Sequence, residues 1–156
     1  MHLPEAASTE RIGRALAPAI APGMRIYLKG DLGTGKTTLV RALLRALGVT
    51  ERVKSPSYTL VELYVVSSLH LYHFDFYRFR DPVELGDAGF DEYFEGGAVC
   101  LVEWPERAAD QLPQPDLEIL LSLCGTGRNA EVTAHSEAGV KCLKSVSDSV
   151  DRESSS

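Results

Sequence analysis

Eight residues, Gly30-Asp31-Leu32-Gly33-Thr34-Gly35-Lys36-Thr37, constrain this chain more than any others, because they satisfy G-x-x-x-x-G-K-[ST] in full. Their surroundings supply what the motif needs. Pro22-Gly23 is a turn signal, and Met24 to Lys29 then reads as a strand running straight into the glycines. Behind them, Lys36 to Leu47 carries Leu39, Val40, Leu43, Leu44 and Leu47 at helical spacing, with Arg41 and Arg45 facing away and Gly48 as a left-handed stop. Glycine makes up about 7% of average sequences, so a chance match to all four fixed positions is expected in on the order of one chain in a few hundred at this length. A glycine-rich turn before a helix is common; one with this lysine and hydroxyl is not.

The chemistry follows from the backbone. Glycines let peptide N–H groups fold inward around phosphate oxygens, and the helix N-terminus adds a favourable dipole. Gly30, Leu32, Gly33, Thr34, Gly35, Lys36, Thr37 and Thr38 are therefore the expected nucleotide-binding residues. Lys36 is expected to reach the β- and γ-phosphates, and the Thr37 hydroxyl to ligate Mg²⁺. ATP is the expected nucleotide. A guanine site usually carries N-K-x-D, whereas the single asparagine, Asn129, is followed by Ala130 and Glu131, and no D-x-x-G is present.

Such a site also requires an acid at the end of a neighbouring strand. Two positions qualify. Glu103 closes the uninterrupted apolar run Ala98 to Val102, the pattern of a strand covered on both faces. Asp75 closes the more amphipathic Leu69 to Phe74, where Arg78 is an obvious alternative partner. The pattern favours Glu103 on the metal side and Asp75 as the residue that orients or activates water. Between the P-loop helix and these strands, Lys54 to Thr59 is rich in hydroxyls and stands where P-loop switches often sit, although a plain turn reads the same way. Ser55, Ser57, Thr59 and Trp104 are the switch-like candidates.

The remaining chain predicts a mixed α/β domain. A first helix is expected over Ser8 to Leu16, with a Ser/Thr cap, and a hairpin over Thr59 to Val65 and Leu69 to Phe74. Asp81-Pro82 followed by Glu84 signals a helix start that Gly86 and Gly89 keep short. A helical stretch is expected from Trp104-Pro105 to Asp110. Asp116 to Leu123, the turn Gly125-Thr126-Gly127, Arg128 to His135 and Val140 to Lys144 read as an antiparallel meander added to a parallel core. The expected architecture is a single P-loop NTPase domain over residues 1–144, with helices on both faces of the sheet, and a disordered polar tail over 145–156.

Composition narrows the function classes. A net charge of −6 opposes broad nucleic-acid binding, and the cluster Arg41, Arg45, Arg52 and Lys54 reads as a solvated face. The three widely spaced cysteines fit neither a disulfide framework nor a zinc site. His70 and His73 point to opposite faces of one strand, so they do not pair as metal ligands there and read as structural. No apolar run reaches spanning length, and the N-terminal residues lack a secretory pattern; a cytoplasmic location is expected. Nothing in the sequence fixes an oligomeric state.

Four strings in order carry a family resemblance: Gly30 to Thr38, Lys54 to Glu62, His73-Phe74-Asp75-Phe76-Tyr77-Arg78, and Leu101-Val102-Glu103-Trp104-Pro105. Together they resemble the TsaE family, also called YjeE, over about Ser8 to Lys144, more weakly after Leu123. Ser57 departs from the threonine often found in the family at that place but keeps a hydroxyl. The resemblance implies a small ATPase that works with TsaB and TsaD in threonylcarbamoylation of tRNA, as an accessory motor and not the transferase. It implies that Thr37 and Glu103 hold Mg²⁺, that Asp75 lies at the nucleotide, and that Arg128 lies near it. Two other readings stay open: a small P-loop kinase, for which no arginine-bearing lid is evident, and a nucleotide-gated binding module with negligible hydrolysis.

Overall fold

The computed structural model describes residues 2–3, 6–56, 59–78, 91–125 and 127–154. Seven strands form one sheet: β1 (His2–Leu3), β2 (Arg25–Lys29), β3 (Val61–Val66), β4 (Leu69–Asp75), β5 (Val99–Glu103), β6 (Leu117–Cys124) and β7 (Gly127–Ala134). Their spatial order is β1-β7-β6-β2-β5-β4-β3. The four inner strands β6, β2, β5 and β4 are mutually parallel, while β3, β7 and β1 pair antiparallel. A mixed sheet is what the sequence predicts, but Leu117–Cys124 belongs to the parallel core with its partner β7 turning back, and β1 adds an edge strand that was not expected.

Burial follows position. All five residues of β5 are buried, as a central strand covered on both faces requires. Edge strand β3 instead leaves Leu63 and Val65 exposed and turns Tyr64 inward. One face of the sheet packs Ile26, Leu28, Leu71, Leu101 and Ile119 against helices α1 (Ala6–Leu16) and α2 (Lys36–Leu47). The other packs Tyr27, Phe74, Phe76 and Val102 around Phe94 of the short helix α3 (Asp91–Glu95) and Ala108 of a 3-10 stretch (Pro105–Gln111) kinked at Ala108. Phe74 and Phe94 stack with centroids 5.1 Å apart. The Asp81-Pro82 helix start, with Glu84, Gly86 and Gly89, lies outside the described residues, as do Ser57 and Thr126.

The C-terminal region overturns two expectations. Val140 to Lys144 is not a strand, and residues 145–154 of the expected tail are helical: both belong to helix α4 (Glu137–Ser154). Ser136 caps it, its Oγ accepting from Gly139 N at 3.1 Å and donating to Asp116 Oδ1 at 2.7 Å. Ala138, Cys142 and Val146 recur every four residues and face the core, and Ser145 Oγ donates to Ala15 O of α1. A stripe only that wide suffices because the helix docks on α1 and β7 rather than standing alone.

Gly139 sets how closely α4 approaches β6, since a Cβ there would lie 1.8 Å from Asp116 O and 3.4 Å from Ala134 Cα. Both neighbours are backbone and neither can swing away. Gly139→Ala is accordingly expected to destabilise the fold by about 1–3 kcal/mol, the usual cost of forced overpacking. A thermal melt showing no loss would place the start of α4 elsewhere.

Candidate functional site

The three P-loop glycines all carry positive φ: 141° at Gly30, 78° at Gly33 and 105° at Gly35. L-residues rarely adopt these angles, so the loop can take this course only with glycine at those places. At Gly30 the chain also passes so close to β6 that a Cβ would lie 2.3 Å from Leu121 O. Gly35 then stands at the head of α2, leaving the first helical N–H groups directed at the loop.

A cavity of about 420 Å³ opens over this loop, at the carboxyl ends of the parallel strands. It is lined by Leu32, Gly33, Thr34, Gly35, Lys36, Thr37 and Thr38 from the loop and α2, with Ser55, Asp75, Tyr77, Arg78, Glu103, Trp104 and Arg128 around the rim, and Thr9 from α1. The structure thus brings together nearly every residue that the sequence singles out. Gly30 sits behind the loop, its carbonyl accepting from Lys36 Nζ. Thr59 does not line the cavity; its Oγ1 lies 3.2 Å from Glu62 Oε1.

Lys36 is 5% exposed. Its Nζ donates to the carbonyls of Gly30 and, at 3.1 Å, Asp31, and lies 4.0 Å from the centre of the Trp104 ring. Burial pushes its pKa below the ordinary lysine value, against the nearby carboxylates of Glu103, Glu106, Asp75 and Asp31, which favour the charged form. Trp104 holds its ring there from a left-handed backbone, φ 58°, rare for a side chain of that size. Tyr77 packs against its ring at 5.0 Å, and the Arg107 guanidinium lies 5.6 Å from Trp104 and 5.7 Å from Tyr77.

The two carboxylates occupy different environments. Asp75 and Glu103 are direct partners in the parallel register of β4 and β5. Glu103 Oε1 and Oε2 each lie 3.0 Å from Thr37 Oγ1. Asp75 accepts from Ser55 Oγ at 3.0 Å and from Tyr77 N at 2.9 Å. Arg128 reaches across from β7, with Nη2 3.4 Å from Gly33 O.

The Thr37 and Glu103 oxygens fit a hard divalent cation. Magnesium takes an octahedron of oxygens at about 2.1 Å, which puts adjacent oxygens about 3.0 Å apart, the separation seen here. Among the described residues no group of three or more His, Cys, Asp or Glu forms a metal cage. Magnesium at phosphate sites is ordinarily held by one or two protein oxygens and completed by phosphates and water.

Thr9 and His73, in or beside the cavity, were given no role in the site from the sequence. Thr9 lies inside α1 rather than capping it, is 1% exposed, and its Oγ1 has no partner among the described residues. No local pattern marks Thr9, since α1 reaches the loop only through tertiary packing, where Thr9 Cγ2 lies 3.1 Å from a Cβ built on Gly35. His73, wholly buried, places Nε2 2.6 Å from Glu103 Oε2. Its signal was available: two residues before Asp75 on a strand is the same face.

A family model described as "Threonylcarbamoyl adenosine biosynthesis protein TsaE" matches residues 3–130. The "tRNA threonylcarbamoyladenosine biosynthesis protein TsaE" of Haemophilus influenzae is 37% identical over 151 residues, covering 94% of this chain and 96% of that one. Its Bacillus subtilis namesake is 44% identical over 117 residues, covering 75% and 73%. The crystal structure of Bacillus subtilis YdiB superposes with a TM-score of 0.78 at 34% identity, over 92% of this chain and 90% of that one.

Proposed function

Because this chain belongs to the TsaE family, we propose that it binds ATP with Mg²⁺, hydrolyses it slowly, and serves threonylcarbamoyladenosine modification of tRNA as an accessory to TsaB and TsaD. The observation that carries the nucleotide part is the hydroxyl–carboxylate pair of Thr37 and Glu103, 3.0 Å apart at the mouth of a complete P-loop. Thr37 and Glu103 would hold the cation, which when bound neutralises phosphate charge and polarises the scissile phosphoryl group. The loop N–H groups and Lys36 bind the phosphates. Asp75, fixed by Ser55 and Tyr77, orients the attacking water, and Arg128 approaches from the β7 side. Ser55 links Asp75 to the loop that follows α2, so a change at the γ-phosphate is transmitted there first; Trp104 is the responsive residue over Lys36, and Ser57 and Thr59 follow Ser55 in the sequence as the other candidate switch residues.

The accessory role rests on the family and on what the cavity contains. Its lining supplies phosphate, cation and water positions; on this reading phosphate is released to water and the energy is spent on a partner's shape. A net charge of −6 favours protein contacts over a direct grip on tRNA. No helix among the described residues is long and apolar enough to cross a membrane; the site of action we propose is the cytoplasm. Steady-state phosphate release should be slow for the isolated protein and accelerated by a TsaB–TsaD pair. Fast turnover in isolation, unchanged by the pair, would remove the accessory role. Phosphate found on a small acceptor would make the protein a kinase.

A further inference from the structure

Glu103 is gripped from within the core by a group that the proposed chemistry leaves unused. His73 stands on β4 opposite Leu101, with Asp75 opposite Glu103, so its ring crosses diagonally to the carboxylate on the face that meets α2. The Nε2 to Oε2 distance is 2.6 Å, with both side chains buried. Nδ1 is buried too and has no partner among the described residues. Glu103 is therefore the one polar anchor of the ring in the described structure. A carboxylate accepts, so the proton of this contact is on Nε2, which donates.

An apolar residue would fill this part of the core without exposing a ring nitrogen to it, as Leu71 does two positions earlier on the same strand. The ring's effect falls on the carboxylate. With Oε2 tied to β4 by His73, the Glu103 carboxylate is held with both oxygens 3.0 Å from Thr37 Oγ1 and with Oε1 left for the cation, the arrangement by which outer hydrogen bonds orient metal-binding carboxylates. We infer that His73 is the positioning residue for Glu103, setting cation affinity without itself touching nucleotide or metal. This rests on Glu103 being the metal-side acid.

The test uses Mn²⁺ as probe, its affinity for the ADP-loaded full chain read by electron paramagnetic resonance, beside ADP affinity in EDTA. His73→Phe keeps a ring and removes the donor; should it not fold, His73→Leu replaces it. The expected result is Mn²⁺ affinity lowered about tenfold, the lower end of outer-partner effects, with ADP affinity in EDTA unchanged. His73→Gln, which offers an N–H near the Nε2 position, should recover most of the loss. In a Glu103→Gln background, His73→Phe should have no further effect on Mn²⁺. A folded His73→Phe or His73→Leu protein with unchanged Mn²⁺ affinity, or the same loss in the Glu103→Gln background, would overturn the role of His73 alone. If Glu103→Gln itself leaves Mn²⁺ affinity intact, the metal reading fails and this one with it.

Discussion

Lys36→Ala will leave a folded chain whose ATP binding and turnover are reduced by at least about 100-fold. Charge-assisted hydrogen bonds contribute about 1.5–3 kcal/mol each, and an ammonium serving two phosphates forfeits two of them, on the order of 10²–10⁴ in affinity. The surroundings push towards the upper end. Glu103, Glu106, Asp75 and Asp31 all act on this lysine, so removing it turns the phosphate end of the cavity anionic. Among the described residues the side chain meets two loop carbonyls and the Trp104 face. Calorimetric titration with ATP, phosphate release and a circular dichroism spectrum make the comparison. Normal hydrolysis by a folded variant would sink the P-loop assignment.

The second large effect separates the carboxylates. Glu103→Ala should weaken magnesium-dependent nucleotide binding by more than about 100-fold, beyond the 10–100-fold that losing an outer partner costs, because on the proposed reading it removes a direct ligand. Asp75→Ala should shift the magnesium requirement far less and act mainly on turnover, since its oxygens are engaged by Ser55 and Tyr77, one strand away from Thr37. ATP titrations of both variants with and without Mg²⁺ decide the matter. A larger loss of metal dependence in Asp75→Ala would mean that the two roles are exchanged.

What could be read from the sequence was whatever local spacing encodes. The P-loop, α2 with its Gly48 stop, and the buried β5 each announce themselves within about a dozen residues. Glu103 and Asp75 were legible because strand ends are, and the register then made them neighbours. Helix α4 was not: its apolar residues are few, Gly139 looks like turn material, and the surface it docks on is built by α1, more than a hundred residues earlier. Thr9 was hidden for the same reason. His73 failed differently, because a buried histidine is more often a core residue, and only the diagonal contact to Glu103 shows what it holds.

Trp104 is the only tryptophan in the chain, and its ring lies 4.0 Å from the P-loop lysine ammonium. The protein therefore carries its own optical label, set at the one place where a phosphate would alter the local charge, and intrinsic emission can follow nucleotide titrations without a dye. The same placement biases thermal scans. A melt followed by tryptophan emission reports loosening of the rim around Lys36 and Tyr77, whereas one followed by helical ellipticity is dominated by α1, α2 and α4. Where the two midpoints separate, the lower belongs to the rim, and the gap measures how much more readily this corner opens than the sheet beneath it.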